Sequence, residues 1–142
     1  MDLMSDVNYL AILLCAVISM VLGSVWYGPL FGKKWMEICG VSADDVERRK
    51  QMQKEAMPLY GVQFVLTLFQ AAVLACAILL VGDERAILAG ILIWAAFIMP
   101  TVAAASMWTS DSGKIKWARF LIQSSYYAVL TAIFVCVLTA WK

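Results

Sequence analysis

The chain has 142 residues, of which 63% are hydrophobic and 15% are charged. An ordinary soluble domain has about 45–50% apolar and about 25% charged residues, so this composition excludes a typical water-soluble fold. The 11 basic and 10 acidic residues give a net charge of +1, and the basic residues lie in short loops, so we expect no nucleic acid as a partner.

The charged residues leave four long stretches of the sequence without any charge. These stretches cover residues 7–32, 56–82, 86–110 and 120–141. Each is longer than the about 20 apolar residues that a membrane-spanning helix needs. We therefore predict an all-α integral membrane protein, a four-helix transmembrane bundle that forms one domain over residues 1–142. The four spans are predicted at about residues 8–28, 58–81, 86–108 and 118–141.

The basic residues predict the orientation of the spans. Nine of the 11 Lys and Arg residues lie in the first and third loops, and Arg85 and Lys142 lie on the other side. Because basic loops are retained in the cytoplasm, we predict that both termini lie outside. Asp2 and Asp6 fit an exported N-terminus. The first six residues contain no Lys or Arg, so we expect the first apolar stretch not to be a cleaved signal peptide.

The first span is predicted to begin near Asn8 and to end near Trp26 and Tyr27. Gly28-Pro29 follows at once, and the residue before a proline avoids the helical conformation. The helix is therefore expected to stop at the membrane surface.

The first loop is predicted to contain two short helical segments. Residues 30–38 mix apolar side chains with lysines, which is typical of a segment that lies along the membrane interface. Ser42 is the predicted N-cap of a polar helix that runs to about Lys54. Pro58 then suits the first turn of the second span.

The second and third spans are joined by residues 82–85 only, so they are predicted to be antiparallel neighbours. Pro100 in the third span removes one backbone hydrogen bond, which predicts a kink and a free carbonyl near Ala96. A free carbonyl in lipid needs a partner, and Thr101 and Gln70 are the candidates.

Small residues recur every four positions in three of the spans, and we call each such series a ladder. The ladders are Ala11, Cys15, Ser19 and Gly23; Gln63, Thr67, Ala71 and Ala75; and Ser124, Ala128, Ala132, Cys136 and Ala140. Small residues at this spacing let membrane helices approach closely. We interpret the ladders as helix contacts inside the bundle, with an oligomer interface as the alternative.

The sequence contains no pattern that is typical of catalysis or of metal binding. It has no histidine, and the four uncharged stretches contain none of the ionisable groups that proton-coupled transporters normally place in the membrane. The usual general acid and base pairs are also missing, and the four cysteines form no C-x-x-C motif. We expect a protein that is not an enzyme and that has no catalytic residue, cofactor or metal.

Polar side chains concentrate in the halves of the spans nearest the first and third loops. We predict that they form a cavity for a neutral or amphipathic ligand or a partner. Its predicted residues are Tyr27, Tyr60, Gln63, Thr67, Gln70, Thr101, Gln123 and Tyr127. The alternative is that the amides only join helices and that the aromatic residues form the interfacial belt. The predicted interface anchors are Trp26, Trp35, Trp108 and Trp117.

Parts of the sequence resemble a known family. The segments that carry the resemblance are Asn8-Tyr9-Leu10-Ala11 and Val21 to Met36, which includes Trp26-Tyr27-Gly28-Pro29-Leu30-Phe31-Gly32-Lys33-Lys34-Trp35. They look like the opening signature of a bacterial four-helix membrane family catalogued as domain of unknown function 1761. Gly90 to Pro100 and Trp117 to Tyr127 are similar to its second half. The resemblance implies a small multi-pass protein of the bacterial inner membrane, and it implies no activity.

Two functional classes remain. The first is a non-enzymatic accessory protein, or a bundle that binds lipid or a small hydrophobic molecule. The alternative is a transporter or channel for a small neutral solute, against which the apolar outer halves of the spans argue. The expected partners are membrane lipid and either a second copy of the chain, in a homo-oligomer, or a larger membrane complex.

Overall fold

The computed structural model describes residues 5–141, and every regular element within that range is helical. In chain order the elements are α1 (Tyr9–Val25), a first π-helical turn (Trp26–Leu30), α2 (Gly32–Ile38), α3 (Val46–Val81), α4 (Asp83–Ile93), a second π-helical turn (Trp94–Ile98), α5 (Met99–Met107) and α6 (Gly113–Ala140). Asp2 and Lys142, which entered the charge argument, lie outside the described residues.

Four continuous helical stretches are long and apolar enough to cross a membrane. They are Tyr9–Leu30, Val46–Val81, Asp83–Met107 and Gly113–Ala140. This confirms the predicted all-α fold with four spans. The orientation of the spans in the membrane stays a prediction.

The first span continues beyond its predicted end. Asn8 caps α1, because its side-chain oxygen accepts hydrogen bonds from the backbone N–H groups of Leu10 at 2.9 Å and Ala11 at 3.2 Å. The α-helix ends at Val25, close to its predicted end, but the helical stretch continues as a π-helical turn to Leu30 that contains Pro29. The N–H of Phe31 donates to the carbonyl of Trp26 at 2.9 Å, five residues earlier. This wider turn leaves room for a proline ring that would clash in a regular α-helix.

The predicted polar helix and the second span form one helix of 36 residues, α3. Asp45 rather than Ser42 caps this helix, since its carboxylate accepts from the N–H of Arg48 at 3.0 Å. Pro58 lies inside α3, not in the first turn of a new helix. Its missing N–H frees the carbonyl of Lys54, an exposed residue at which water can take the place of the lost bond. At 1.5 Å per residue α3 is about 54 Å long, so it projects beyond a hydrocarbon core of about 30 Å.

The third span has its irregular turn just before Pro100. The N–H of Met99 donates to the carbonyl of Trp94, and α5 begins at Met99, so that Pro100 stands in the first turn of a helix, where its missing N–H is tolerated. Thr101 does bind a carbonyl of the preceding turn, but that carbonyl belongs to Phe97, not to Ala96.

The fourth span, α6, is the central helix of the bundle. It contacts α1, α3, α4 and α5. The core between α1, α3 and α6 contains two of the predicted ladders, because Ala11, Cys15 and Ser19 of α1 and Thr67, Ala71 and Ala75 of α3 are all buried. These ladders are helix contacts inside the bundle.

The ladder of α6 is arranged differently. Ser124 is buried, but Ala132, Cys136 and Ala140 are exposed. Ala132 and Cys136, together with Ala128, line an apolar groove of about 450 Å³ between α4 and α6. The interpretation of the whole α6 ladder as a contact inside the bundle was therefore wrong.

Two glycines allow the turn before the third span and its close contact with α6. Gly82 has φ +81°, a left-handed conformation that favours glycine, and it is the only residue between α3 and α4. At Gly90 the helices α4 and α6 approach so closely that a β-carbon would lie 2.7 Å from Cγ2 of Val135.

We expect Gly90→Ala to be less stable than Gly61→Ala by about 1–3 kcal/mol, the usual cost of overpacking. Both substitutions replace a glycine in a helix by alanine, so both gain the same helix propensity. A β-carbon at Gly61, however, would meet nothing within 4 Å. The measurement is thermal unfolding of the two variants in the same detergent. Equal melting temperatures would contradict the close approach of α4 and α6.

Candidate functional site

A cleft of about 520 Å³ opens between α1, α3 and α6 at one end of the bundle. We call this end the basic end, because the nine Lys and Arg residues within positions 33–54 and 114–119 lie there. We call the cavity the polar cleft. Its lining is Ser19, Met20, Gly23, Ser24, Tyr27, Gly28, Trp35, Gln53, Tyr60, Gln63, Gln123, Tyr126 and Tyr127.

Five of the eight residues predicted for a cavity line the polar cleft together. They are Tyr27, Tyr60, Gln63, Gln123 and Tyr127. They come from the first π-helical turn, from α3 and from α6, and the third span contributes none. The structure thus brings together residues that are up to 100 positions apart in the sequence.

Thr67 lies behind Gln63 rather than in the cleft. Its hydroxyl donates to the carbonyl of Gln63 at 2.8 Å and accepts from Nε2 of Gln63 at 3.3 Å. Thr67 is completely buried, so this contact fixes the rotamer of Gln63 and orients its amide. Thr67 is a positioning residue for the cleft.

Gln70 and Thr101 were wrongly assigned to the cavity. Gln70 is exposed and lines a separate groove of about 190 Å³ with Phe69 and Ile93. It lies two helical turns, about 10 Å, further along α3 than Gln63. Thr101 is on the third span, which packs against α6 away from the cleft, and its hydroxyl bonds to its own helix.

Sequence reasoning did not assign Tyr126 to the site, although it forms the floor of the polar cleft. Its side chain is 6% exposed, and its hydroxyl donates to the carbonyl of Ser19 at 3.2 Å and lies 3.4 Å from Oγ of Ser19. This contact joins α1 to α6. Tyr126 is one of the polar side chains in the half of α6 nearest the third loop, and its position beside Tyr127 is the sequence signal for its place in the cleft.

Gln53 was also missed. It lines the cleft from the part of α3 that precedes the uncharged stretch. Nothing in the sequence pattern indicated Gln53, because the polar helix was expected to be separate from the second span.

An aromatic cluster holds the first π-helical turn and α2 against α6. The ring of Trp26 lies 5.2 Å from Phe31 and 6.1 Å from Tyr126, and the ring of Tyr27 lies 4.7 Å from Trp35 and 5.5 Å from Tyr126. These centroid distances are those at which aromatic pairs attract one another. The cluster closes one wall of the polar cleft.

Trp26 also makes a hydrogen bond between helices. Its indole N–H donates to the carbonyl of Ile122 at 3.1 Å, and in the same way Trp94, the first residue of the second π-helical turn, donates to the carbonyl of Ser124 at 3.1 Å. Both π-helical turns are therefore joined to α6 by a tryptophan.

The predicted interface anchors fall into two groups. Trp26 and Trp35 are half-buried in the aromatic cluster, and their assignment as interface anchors stays a prediction. Trp108 and Trp117 are 91% and 58% exposed, and for these two the assignment also stays a prediction.

Arg119 joins three segments at the basic end. Its guanidinium forms an ion pair with Asp111 at 2.7 Å and donates to the hydroxyl of Thr109 at 3.3 Å and to the carbonyl of Ile38 at 3.5 Å. The Arg119 hydrogen bond holds the pKa of the Asp111 carboxyl below its usual value. Arg119 thereby connects the end of α2 to the start of α6, on the side of the bundle where the cleft opens.

The side chains of the cleft have unused hydrogen-bonding capacity. Among residues 5–141, no hydrogen-bond partner is found for the amides of Gln53 and Gln123 or for the hydroxyls of Tyr27, Tyr60 and Tyr127. In the same range no group of three or more His, Cys, Asp or Glu could hold a metal ion. The cleft offers uncharged donors and acceptors, which can bind polar groups of a ligand.

The fold and the cleft define a small four-helix membrane protein with a polar cavity at one end. The chain belongs to the family described as "Protein of unknown function (DUF1761)", whose model matches residues 10–139. This confirms the resemblance that the sequence indicated. No curated protein and no solved structure matches the chain.

Replacing Trp26 by Phe should lower the stability by about 1 kcal/mol, because the ring is kept and only the hydrogen bond to Ile122 is lost. Trp108→Phe is the matched control, since Trp108 is almost fully exposed. Melting temperatures in one detergent measure both effects. Equal melting temperatures of the two variants would show that the hydrogen bond of Trp26 to Ile122 does not stabilise the contact between the helices.

Proposed function

We propose that this chain is a non-enzymatic membrane protein that binds an amphipathic, lipid-like molecule in the polar cleft. The observation that carries the proposal is the cleft itself, about 520 Å³ lined by amides and tyrosines. An amide or hydroxyl without a partner is costly in lipid, so these side chains favour a ligand that can hydrogen-bond with them.

The position of the cleft along the helices supports an amphipathic ligand. Gln53 lies outside the uncharged stretch that begins at Ala56, and Gln63 lies ten residues, or about 15 Å, deeper along the same helix. A molecule that fills the cleft extends from the headgroup level into the hydrocarbon. Lipids have their polar and apolar parts at the same two depths.

The side chains also favour binding over catalysis. The residues that line the cleft include no Asp, Glu, Lys, Arg or Cys, and the sequence has no histidine. Hydroxyls and amides without a neighbouring base orient a ligand by hydrogen bonds, and they are poor nucleophiles.

Transport of a small neutral solute is the alternative function, and the other half of the bundle argues against it. Beyond the cleft the core is a closely packed apolar layer, with Ala11, Cys15, Ala71 and Phe134 all buried. A conducting path needs polar groups or space at every depth. The cleft therefore fits a binding site better than a pathway.

We further propose that the protein lies in the bacterial inner membrane, with the basic end in the cytoplasm and both termini outside. The distribution of Lys and Arg supports this orientation. The proposed partners are membrane lipid and a second copy of the chain or a larger membrane complex. The apolar groove between α4 and α6 supports the protein partners, because it leaves small residues uncovered.

Two amides test the ligand proposal. Gln63→Leu and Gln123→Leu should each reduce the amount of co-purified lipid about threefold to tenfold, the effect of one lost hydrogen bond. The measurement is native mass spectrometry of the full chain extracted from its host membrane in a mild detergent.

Gln70→Leu is the matched control, because Gln70 is a glutamine of the same helix that lies outside the cleft. It should retain lipid as the unchanged protein does. A wild-type protein without bound lipid, or equal retention by all variants, would contradict the proposal.

Cys39 tests the orientation. It is an exposed free cysteine at the basic end, so a variant in which the other three cysteines are Ala should react with a membrane-impermeant maleimide in inverted vesicles and not in spheroplasts. Partial burial raises the pKa of the Cys39 thiol, and the nearby Arg119 charge opposes this. The thiolate fraction, and with it the labelling rate, should therefore still be increasing with pH at pH 9. Labelling of Cys39 in intact spheroplasts would contradict the proposed orientation and would place the basic end outside the cell.

A further inference from the structure

A second cleft continues the polar cleft outward at the basic end. It also has a volume of about 520 Å³ and lies between α2 and the projecting part of α3. We call it the outer cleft. The two clefts share Tyr27, Gly28, Trp35, Gln53 and Tyr60 as lining residues, so they adjoin.

The outer cleft carries two positive charges and no negative charge. Lys33 from α2 and Arg49 from α3 line it, whereas no Asp or Glu is among its lining residues. Within residues 5–141, Lys33 has no ion pair, and the one hydrogen bond of the Arg49 side chain goes to the carbonyl of Ala43 at 3.3 Å.

Three of the five carboxylates near Lys33 and Arg49 in sequence have partners of their own, and the other two, Asp44 and Glu47, line neither cleft. Glu37 forms an ion pair with Lys34 at 2.8 Å, and this contact holds the pKa of Glu37 below its usual value. Asp45 accepts the N–H of Arg48 as the cap of α3, and Glu55 accepts from Gln51 at 3.0 Å. The charges of Lys33 and Arg49 are thus left for a ligand.

A third donor lies where the two clefts meet. Trp35 lines both of them, and no acceptor for its indole N–H is found in the described part of the chain. A tetrahedral phosphate accepts hydrogen bonds in several directions at once, and a guanidinium binds it with two parallel bonds. One lysine, one arginine and one indole around an open cavity are complementary to such a group.

We propose that the outer cleft binds the phosphate of an anionic amphiphile, with Lys33 and Arg49 as its ligands and the less polar part of the molecule in the polar cleft. This rests on the proposed function and adds the chemical class of the headgroup. Lys33 lies just after the first π-helical turn, and Arg49 lies in the second turn of α3, so the phosphate binds at the headgroup level.

The test compares lipids with and without a phosphate. Full-length protein in neutral detergent is titrated with phosphatidylglycerol or with diacylglycerol of the same chain length, and native mass spectrometry measures the bound lipid. The wild-type protein should prefer phosphatidylglycerol about tenfold, the effect of one charge-assisted hydrogen bond. The double variant Lys33→Gln, Arg49→Gln should lose this preference and should still retain diacylglycerol.

A matched control separates a site from general attraction to anionic lipid. Lys50 and Lys54 are also exposed basic residues of α3, but they line neither cleft. The double variant Lys50→Gln, Lys54→Gln should keep the preference. An equal loss of the preference for phosphatidylglycerol in both double variants would overturn the proposal, because attraction of the lipid to surface charge would then explain the binding.

A titration with inorganic phosphate distinguishes the source of the headgroup. Phosphate that binds only at concentrations far above those of the lipid supports a lipid ligand. Phosphate that binds as tightly as the lipid and displaces it supports the same site for a soluble phosphate compound and overturns the lipid assignment. Equal retention of both lipids by wild-type protein overturns the headgroup inference alone. The absence of any retained lipid overturns the proposed function as well.

Discussion

The packing of the first π-helical turn against α6 determines most of the arrangement at the basic end. In lipid, every backbone group needs a partner within the protein, and Pro29 would leave one unpaired in a regular helix. The wider turn from Trp26 to Phe31 accommodates the proline. The Trp26 bond to Ile122 and the contact of Tyr27 with Tyr126 then hold this turn on the central helix. Together with the Arg119 bond to Ile38, these contacts hold α2 in place, and α2 forms a wall of the outer cleft.

The third span contains a second π-helical turn that a tryptophan joins to α6. Trp94 begins a π-helical turn that precedes Pro100, and its indole binds a carbonyl of α6 two residues away from the one that Trp26 binds. The central helix thus accepts hydrogen bonds on two sides. The bundle as a result has two unlike halves. At the basic end, polar side chains surround a cavity, and at the other end small apolar residues pack closely.

The sequence predicted the number and approximate position of the spans because the absence of charge is a strong and local signal. It did not predict what each proline does. Pro58 lies inside a continuous helix and Pro29 inside a π-helical turn, and the outcome depends on whether the freed carbonyl reaches water or a neighbouring turn. That depends on tertiary position, which a single sequence does not contain.

The site was predicted in part for a related reason. Hydropathy indicates the depth of a side chain in the membrane, and five of the eight predicted residues line one cleft at the basic end. It does not indicate the face, and Gln63 and Gln70 are alike in the sequence although only Gln63 lines the polar cleft. Lys33 and Arg49 looked like ordinary loop charges until α2 and the projecting part of α3 were seen to lie on opposite sides of one cavity.

We propose that the two adjoining clefts at the basic end hold one amphipathic ligand. An experimental structure of the full chain, purified with lipid from its host membrane, tests this most directly. The account predicts elongated density in the polar cleft, in contact with the amides of Gln63 and Gln123, with its polar end toward Lys33 and Arg49. Direct contact between these side chains across a closed cleft, with no density between them, would contradict it.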